Sequence, residues 1–281
     1  LFLTFDLDRV LIQNPFLLGV MPTVRRRLRP YVDPAATGGA HPDLWIAQRI
    51  SSKSKARMLA GDYTGAYDWD EIINELAKEL AFPDHLDIAG LVRSFCRPEY
   101  IAAYPDVVPA LDLARRRAKC VWWISNGYAR YQQPVMEALG LDRFFDGHFA
   151  PDRNHLVKPQ PELFAAAARA SGLPPEDGVH VGDRLTDDVA GAKRAGMRAV
   201  LLERHLPEPF RNTPPLELPK LDAFREYAAF VARGEGVAEV FGIDVEKECV
   251  PDAVITSLEQ LPAVLDELAG GIQRGGAAGS M

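Results

Sequence analysis

Five short runs of apolar, largely β-branched and aromatic residues, separated by stretches of helical spacing, constrain this chain more than any other feature. They are Leu1–Phe5, Cys120–Ile124, Phe144–Phe149, Val179–Val181 and Ala199–Leu202. Apolar runs of this length without strict alternation fit strands buried on both faces of a parallel sheet. Between them, Val107–Arg117, Gln132–Leu139, Glu162–Ala170 and Asp187–Ala195 have helical spacing, and the last three are followed by Gly140, Gly172 and Gly196. Glycine just past a periodic stretch is a stop signal. Strand, helix, strand at this spacing predicts an α/β fold with a doubly wound parallel sheet and right-handed crossovers. Ala253–Thr256 and Leu258–Leu268 are expected to add a last strand and helix.

From Ile12 to Tyr104 the pattern changes to helices without clear strands, as in Ile72, Ile73, Leu76 and Leu80 on one face of Asp70–Ala81. Residues 12–104 are therefore expected to form a separate α-helical domain, inserted into an α/β core made of 1–11 and 105–281. Ile12–Arg57 carries eight basic and two acidic residues, and Met58–Tyr104 three basic and nine acidic. Pairing between these halves, or a solvated face, is preferred to a positively charged mouth for an anionic substrate. His205–Pro219 contains five prolines and cannot be a regular helix or a central strand. The excursion 205–250 is read either as a dimer contact, making the protein a homodimer, or as an edge decoration without catalytic residues. The Gly- and Ala-rich end, 269–281, is expected to be mobile. Because the chain opens at Leu1 directly on a strand-like run, a few native residues are expected to precede it.

At 281 residues, 47% of them hydrophobic and 25% charged, the composition excludes disordered and disulfide-scaffold classes. Its formal charge of −7 lacks the field that attracts nucleic acid, so no nucleic-acid partner is expected. Cys96, Cys120 and Cys249 form no CxxC pair, which fits a reducing, cytoplasmic setting. No apolar run approaches the roughly 18 residues of a membrane span, and no membrane partner is expected.

In doubly wound sheets ligands bind beyond the carboxyl ends of the strands. Polar residues cluster there: Asp6 and Asp8 after the first strand, Ser125 and Asn126 after the second, Asp183 after the fourth. Any one of them alone reads as a turn or cap residue, but their joint occurrence points to a site. With Asp188 nearby, several carboxylates share one crevice; two unit charges at about 4 Å repel by about 4 kcal/mol at an effective dielectric near 20, so the group needs a cation or must partly protonate. All-oxygen ligands favour Mg²⁺. A carboxylate-held metal beside an exposed aspartate suits attack on a phosphoryl group. Lys158, between Val157 and Pro159 and just before a helix opened by Pro161, is placed to grip phosphoryl oxygens as a point cation. Ser125-Asn126-Gly127, at a strand-to-helix turn, either caps a helix or binds an anion.

Together these residues resemble the haloacid dehalogenase superfamily. Asp6-Leu7-Asp8-Arg9-Val10-Leu11 matches its first motif, Ser125 in Ile-Ser-Asn-Gly the second, Lys158-Pro159-Gln160-Pro161 the third, and Gly182-Asp183 with Asp188 the fourth. The resemblance implies a Rossmann-like core with a cap domain and a Mg²⁺-dependent phosphatase acting on a small phosphorylated metabolite. By resemblance, Asp6 is the nucleophile that forms an aspartyl-phosphate, and Asp8 the general acid and base. Ser125, Asn126 and Lys158 would hold the phosphate. Asp6, Asp8 through its backbone carbonyl, Asp183 and Asp188 would bind the metal, the last directly or through water. A carboxylate at Asp8 separates the phosphate-processing members from the dehalogenases, which lack it. The alternatives are a phosphomutase acting on a sugar phosphate and a catalytically silent binding protein. Arg9 and Arg184 depart from the family pattern; Arg9 is expected to point outward, and Arg184 places a cation near the metal ligands.

Overall fold

The structure, a computed structural model, describes residues 1–275. Its strands are β1 (Phe2–Phe5), β2 (Ile12–Gln13), β3 (Ala102–Ala103), β4 (Val121–Ile124), β5 (Gly147–Phe149), β6 (Gly178–Gly182), β7 (Arg198–Leu202) and β8 (Ala253–Ile255). Six of them form one sheet in the order β5-β4-β1-β6-β7-β8, with every pairing parallel. Renumbered within that sheet, the order is 3-2-1-4-5-6, the doubly wound arrangement whose direction of winding reverses between β1 and β6. Alternation along each strand divides the core. Leu3, Phe5, Val179, Val181, Val200 and Leu202 face one apolar layer. Phe2, Ala199, Leu201 and Val254 face the other. Thr4 and His180, register partners on β1 and β6, are polar residues of fully buried strands.

The inserted segment contains α1 (Met21–Leu28), α2 (Pro42–Leu59), α3 (Trp69–Glu79) and α4 (Ile88–Ser94). Ile46 and Ile50 of α2 pack with Ile72, Ile73 and Leu76 of α3 in a continuous apolar cluster, as the periodicity of α3 requires. The basic and acidic halves of the insert pair with each other: Lys53 reaches Glu79 at 2.5 Å and Arg57 reaches Glu71 at 2.6 Å. The insert is not without strands, contrary to the expectation. The insert is entered and left through β2 and β3, which pair antiparallel, Ile12 opposite Ala103 and Gln13 opposite Ala102. A two-residue strand has no periodicity to read, so this ribbon leaves no sequence signal.

The core helices are α5 (Val107–Arg117), α6 (Ala129–Ala138), α7 (Pro151–Asn154), α8 (Pro161–Ser171), α9 (Gly191–Arg194), α10 (Asp222–Glu235), α11 (Val245–Glu248) and α12 (Leu261–Gly275). Gly172 closes α8 in the left-handed region at φ 61°. α6 begins before the expected Gln132 because the Asp152 carboxylate accepts hydrogen bonds from the Ala129 and Arg130 amides at 2.7 and 3.2 Å. That cap comes from a distant segment and cannot be seen locally. The expected helix over Asp187–Ala195 is a wide π turn, Leu185–Ala190, running into α9. The expected strand over Phe144–Phe149 keeps only its second half, since Phe144 ends a 3-10 turn. α12 runs on to Gly275, past the expected end at Leu268, and residues 276–281 of the expected mobile tail lie outside the described residues. No described helix is long and apolar enough to cross a membrane.

Candidate active site

Three strand ends, those of β1, β4 and β6, and the loop before α8 deliver the expected residues to one crevice beside the β1–β6 reversal. Asp6 leaves β1 with its amide donating to the Val181 carbonyl at 2.9 Å, and it is only 6% exposed. Lys158, 3% exposed, points its ammonium between two carboxylates, 2.6 Å from Asp6 and 2.6 Å from Asp188. A buried lysine is tolerable only with such partners. Asp188 is fully engaged. One oxygen accepts from Lys158 and from His180 Nε2 at 3.0 Å, and the other from the backbone amides of Asp183 and Arg184 at 3.1 and 2.9 Å. His180 Nδ1 lies 2.8 Å from the Thr4 hydroxyl, which fixes the ring from its other side. Gly182 is required by this packing, since a Cβ there would stand 2.2 Å from Asp188 Cγ.

Carboxylate oxygens of Asp6, Asp183 and Asp188 lie within 4.8 Å of one another, a donor set of hard oxygens that fits a divalent cation. Burial pushes Asp6 up to about 6, with Asp188 adding to the shift and Lys158 opposing it. Burial likewise raises Asp183 to about 8, together with the charges of Asp6 and Asp188 and against that of Arg9. Burial also works against Asp188, but Lys158 and the hydrogen bond from His180 more than offset it and hold this carboxyl well below the usual range. For Lys158, burial favours the neutral amine; the two carboxylates outweigh it, and the ammonium is held above the ordinary lysine range.

The Asp8 carboxylate does not join this cluster. It accepts hydrogen bonds from Asn14 Nδ2 and, at 2.7 Å, from Gln132 Nε2, and burial raises its pKa despite both. Ser125 Oγ accepts from the Gly127 amide at 3.0 Å, leaving its own hydrogen free to donate. Asn126, expected as a phosphate ligand, has its side chain engaged elsewhere. Its carbonyl accepts from the Lys158 amide at 2.7 Å, and its amide donates to the Lys158 carbonyl at 3.1 Å and to the Tyr67 hydroxyl at 3.0 Å. Asn126 therefore fixes the backbone that carries Lys158 and ties it to Tyr67 of the inserted helical segment.

Arg9 is 72% exposed, as expected of an outward side chain, yet its Nε reaches Asp183 at 3.3 Å. Arg184 lines the same crevice, a cation near the carboxylates as expected, and is held by Asp187 at 2.6 Å and by the Glu235 carbonyl at 3.2 Å. The excursion, read as carrying nothing catalytic, reaches the crevice through Glu235 at the end of α10. Its carboxylate accepts from the Leu185 and Thr186 amides at 2.9 and 2.7 Å and from the Thr186 hydroxyl, bracing the loop that holds Asp183 and Asp188. Sequence reading missed His180, Gln132, Asn14 and Glu235. Only His180, a polar residue inside an apolar strand run, left a local trace.

Over the cluster, core and insert enclose a cavity of about 650 Å³ that includes Asp6, Asp8, Ser125, Lys158, Asp183 and, from the excursion, Glu235. The aromatic and basic residues of the insert divide around it. Lys55, Tyr67 and Trp69 line the cavity. Trp45 packs on the insert core under Arg49, Lys53 pairs with Glu79, and Tyr63 lies against Phe241 of the excursion at 4.7 Å.

A doubly wound sheet whose reversal point holds a lysine-balanced carboxylate cluster, covered by a helical insert, defines a capped α/β protein with an acidic ligand crevice. Residues 4–196 match the model of the haloacid dehalogenase-like hydrolases, and the chain belongs to that family. It is 38% identical over 105 residues to the glyceraldehyde 3-phosphate phosphatase of Methanopyrus kandleri, covering 37% of this chain and 45% of that protein. It is 35% identical over 116 residues to the phosphoserine phosphatase of Thermus thermophilus, covering 41% and 47%. The chain thus spans about half the length of the curated relatives it matches. Among solved structures, the HAD phosphatase from Thermococcus onnurineus is similar in fold, with a TM-score of 0.63 at 22% identity over 94% of this chain and 96% of that one.

Proposed function

We propose that this protein is a Mg²⁺-dependent phosphatase that hydrolyses a small phosphorylated metabolite through an aspartyl-phosphate. The observation that carries the reading is the buried Lys158 ammonium bridging Asp6 and Asp188 at 2.6 Å each. It keeps Asp6 ionised in a site whose burial works against ionisation, and it leaves a cation beside the point where phosphoryl oxygens would arrive. Asp6 and Asp183, with the Asp8 backbone carbonyl, would hold the metal directly and Asp188, whose oxygens are already engaged, through water; when bound the metal neutralises phosphoryl charge as a Lewis acid. The Asp6 carboxylate attacks phosphorus while the leaving oxygen takes the proton of Asp8, whose raised pKa favours the acid form. Asp8, now a carboxylate held by Asn14 and Gln132, then takes a proton from water as the water attacks the acyl phosphate, releasing inorganic phosphate and restoring Asp6. Ser125 donates its free hydroxyl hydrogen to a phosphoryl oxygen. The phosphatases among the relatives agree with this reading.

A panel of phosphorylated metabolites, assayed for phosphate release, tests it. Turnover of at least one member is expected with Mg²⁺ present and none after chelation. Undiminished turnover in excess chelator would overturn the metal-dependent route, and an isomerised sugar phosphate in place of free phosphate would make the enzyme a mutase.

Metal binding also has a pH signature. In the metal-free protein Asp6 and Asp183 are raised above the ordinary value of 3.8, to about 6 and about 8. Each contributes stability that is fully present below its unfolded value and is lost as pH rises through its folded value. The metal-free melting temperature should thus receive a falling contribution from this pair across that interval, and the rise produced by Mg²⁺ should be larger near pH 8 than near pH 5. Calorimetry at both pH values checks this; an equal rise at both would contradict the cluster as the metal site.

A further inference from the structure

Beside the main cavity lies a second lobe of about 470 Å³ inside the insert, and the two have Asn14, Phe16, Met21, Ser51, Ser54 and Trp69 in common. The lobe is open to solvent and mostly apolar, lined also by Leu17, Ala47 and Ile50, and one charged side chain lines it, Arg25 of α1. The neighbouring arginines are occupied or outside the lobe. Arg27 pairs with Asp84, and Arg29 takes Asp43 through two hydrogen bonds at 2.7 and 2.5 Å. Arg25 has no salt bridge among the described residues, and its Nε is buried with no hydrogen-bond partner. A buried guanidinium nitrogen without an acceptor is costly, and an anion supplying that acceptor removes the cost.

Resting on the phosphatase reading above, we propose that the second lobe selects the substrate. The substrate class is a phosphate monoester with an apolar body and, at the end away from the ester, a second anionic oxygen group that Arg25 binds. The phosphate end sits at Asp6 and Lys158, the body passes Phe16, Met21 and Trp69, and the distal anion meets the guanidinium. A triose or glycolate phosphate would leave the lobe unused, since cavities of several hundred Å³ suit ligands many times larger than phosphate alone.

The test uses two matched series with the full chain and Mg²⁺: straight-chain alkyl phosphates of increasing length, and the same chains ending in a carboxylate. For wild type, kcat/KM should favour the carboxylated ester by about 10- to 100-fold at one best length, chiefly through KM, the range of a charge-assisted hydrogen bond. Arg25→Met should bring that ratio toward one, and Arg25→Lys, which keeps the charge without the fork, should retain part of it. Circular dichroism and melting temperature report the folding of both variants; should Arg25→Met fail to fold, the length-dependent preference of wild type and its reduction in Arg25→Lys decide. A wild-type ratio at or below one at every length, or an unchanged ratio in a folded Arg25→Met, would overturn the inference while leaving the phosphatase reading intact. Folded wild type that hydrolyses neither series nor any metabolite overturns both.

Discussion

Asp6→Asn is expected to reduce phosphate release by about four orders of magnitude or more while leaving the protein folded, because the substitution removes the nucleophile and little else. The isosteric amide keeps an oxygen for the Lys158 ammonium, now 2.6 Å from the Asp6 carboxylate, and Lys158 retains its second partner in Asp188. Removing one charge from a cluster of three carboxylates also relieves repulsion that, with burial, raises Asp6 and Asp183. The metal-free melting temperature should therefore hold or rise, and the metal should bind less tightly for want of one anionic ligand. Steady-state phosphate release, with a melt of the same sample, checks both halves. A folded variant with substantial turnover would remove Asp6 from the chemistry.

Lys158→Met acts in the opposite sense, with the second large effect. Methionine matches the stem but leaves Asp6 and Asp188 buried without their cation, and breaking a buried ion pair from one side costs about 3–5 kcal/mol. The loss of an oxyanion partner should lower kcat/KM by a further 10²–10³-fold or so. The stability loss should depend on pH. Without Lys158 the carboxylates titrate still higher than they do now, so the folded variant is favoured by protonation, and its deficit against wild type should shrink as pH falls toward about 5. Chemical denaturation at about pH 5 and about pH 8 measures this. A deficit independent of pH would mean that Lys158 matters for packing rather than for charge.

The parts of the fold legible in the sequence are those dictated by runs of neighbouring residues. β1, β4, β6 and β7 are short enough and apolar enough that little else could be made of them, and Asp6, Ser125, Lys158 and Asp183 sit where such strands must end or where a proline-bracketed loop must turn. The residues that were missed act across the chain. Gln132 and Asn14 converge on Asp8 from a core helix and from the end of the β2 ribbon, and Glu235 reaches Thr186 across 49 positions. Polar side chains of this kind carry no periodicity, and only the folded backbone brings them together. Asn126 illustrates the converse: its position was legible, but which of its neighbours would take its amide was not.

Glu235 ends the helix whose continuation, Gly236 to Val240, forms one wall of the cavity. The residues that would shape a ligand on that side are therefore continuous with the clamp on the loop that presents the carboxylates. Drift there would disturb the catalytic loop, whereas in the wall around Arg25 it is Asn14, the donor to Asp8, that carries such a coupling. Diversification of this scaffold toward new substrates should accordingly accumulate on the helical side and spare the short stretch from Glu235 to Val240.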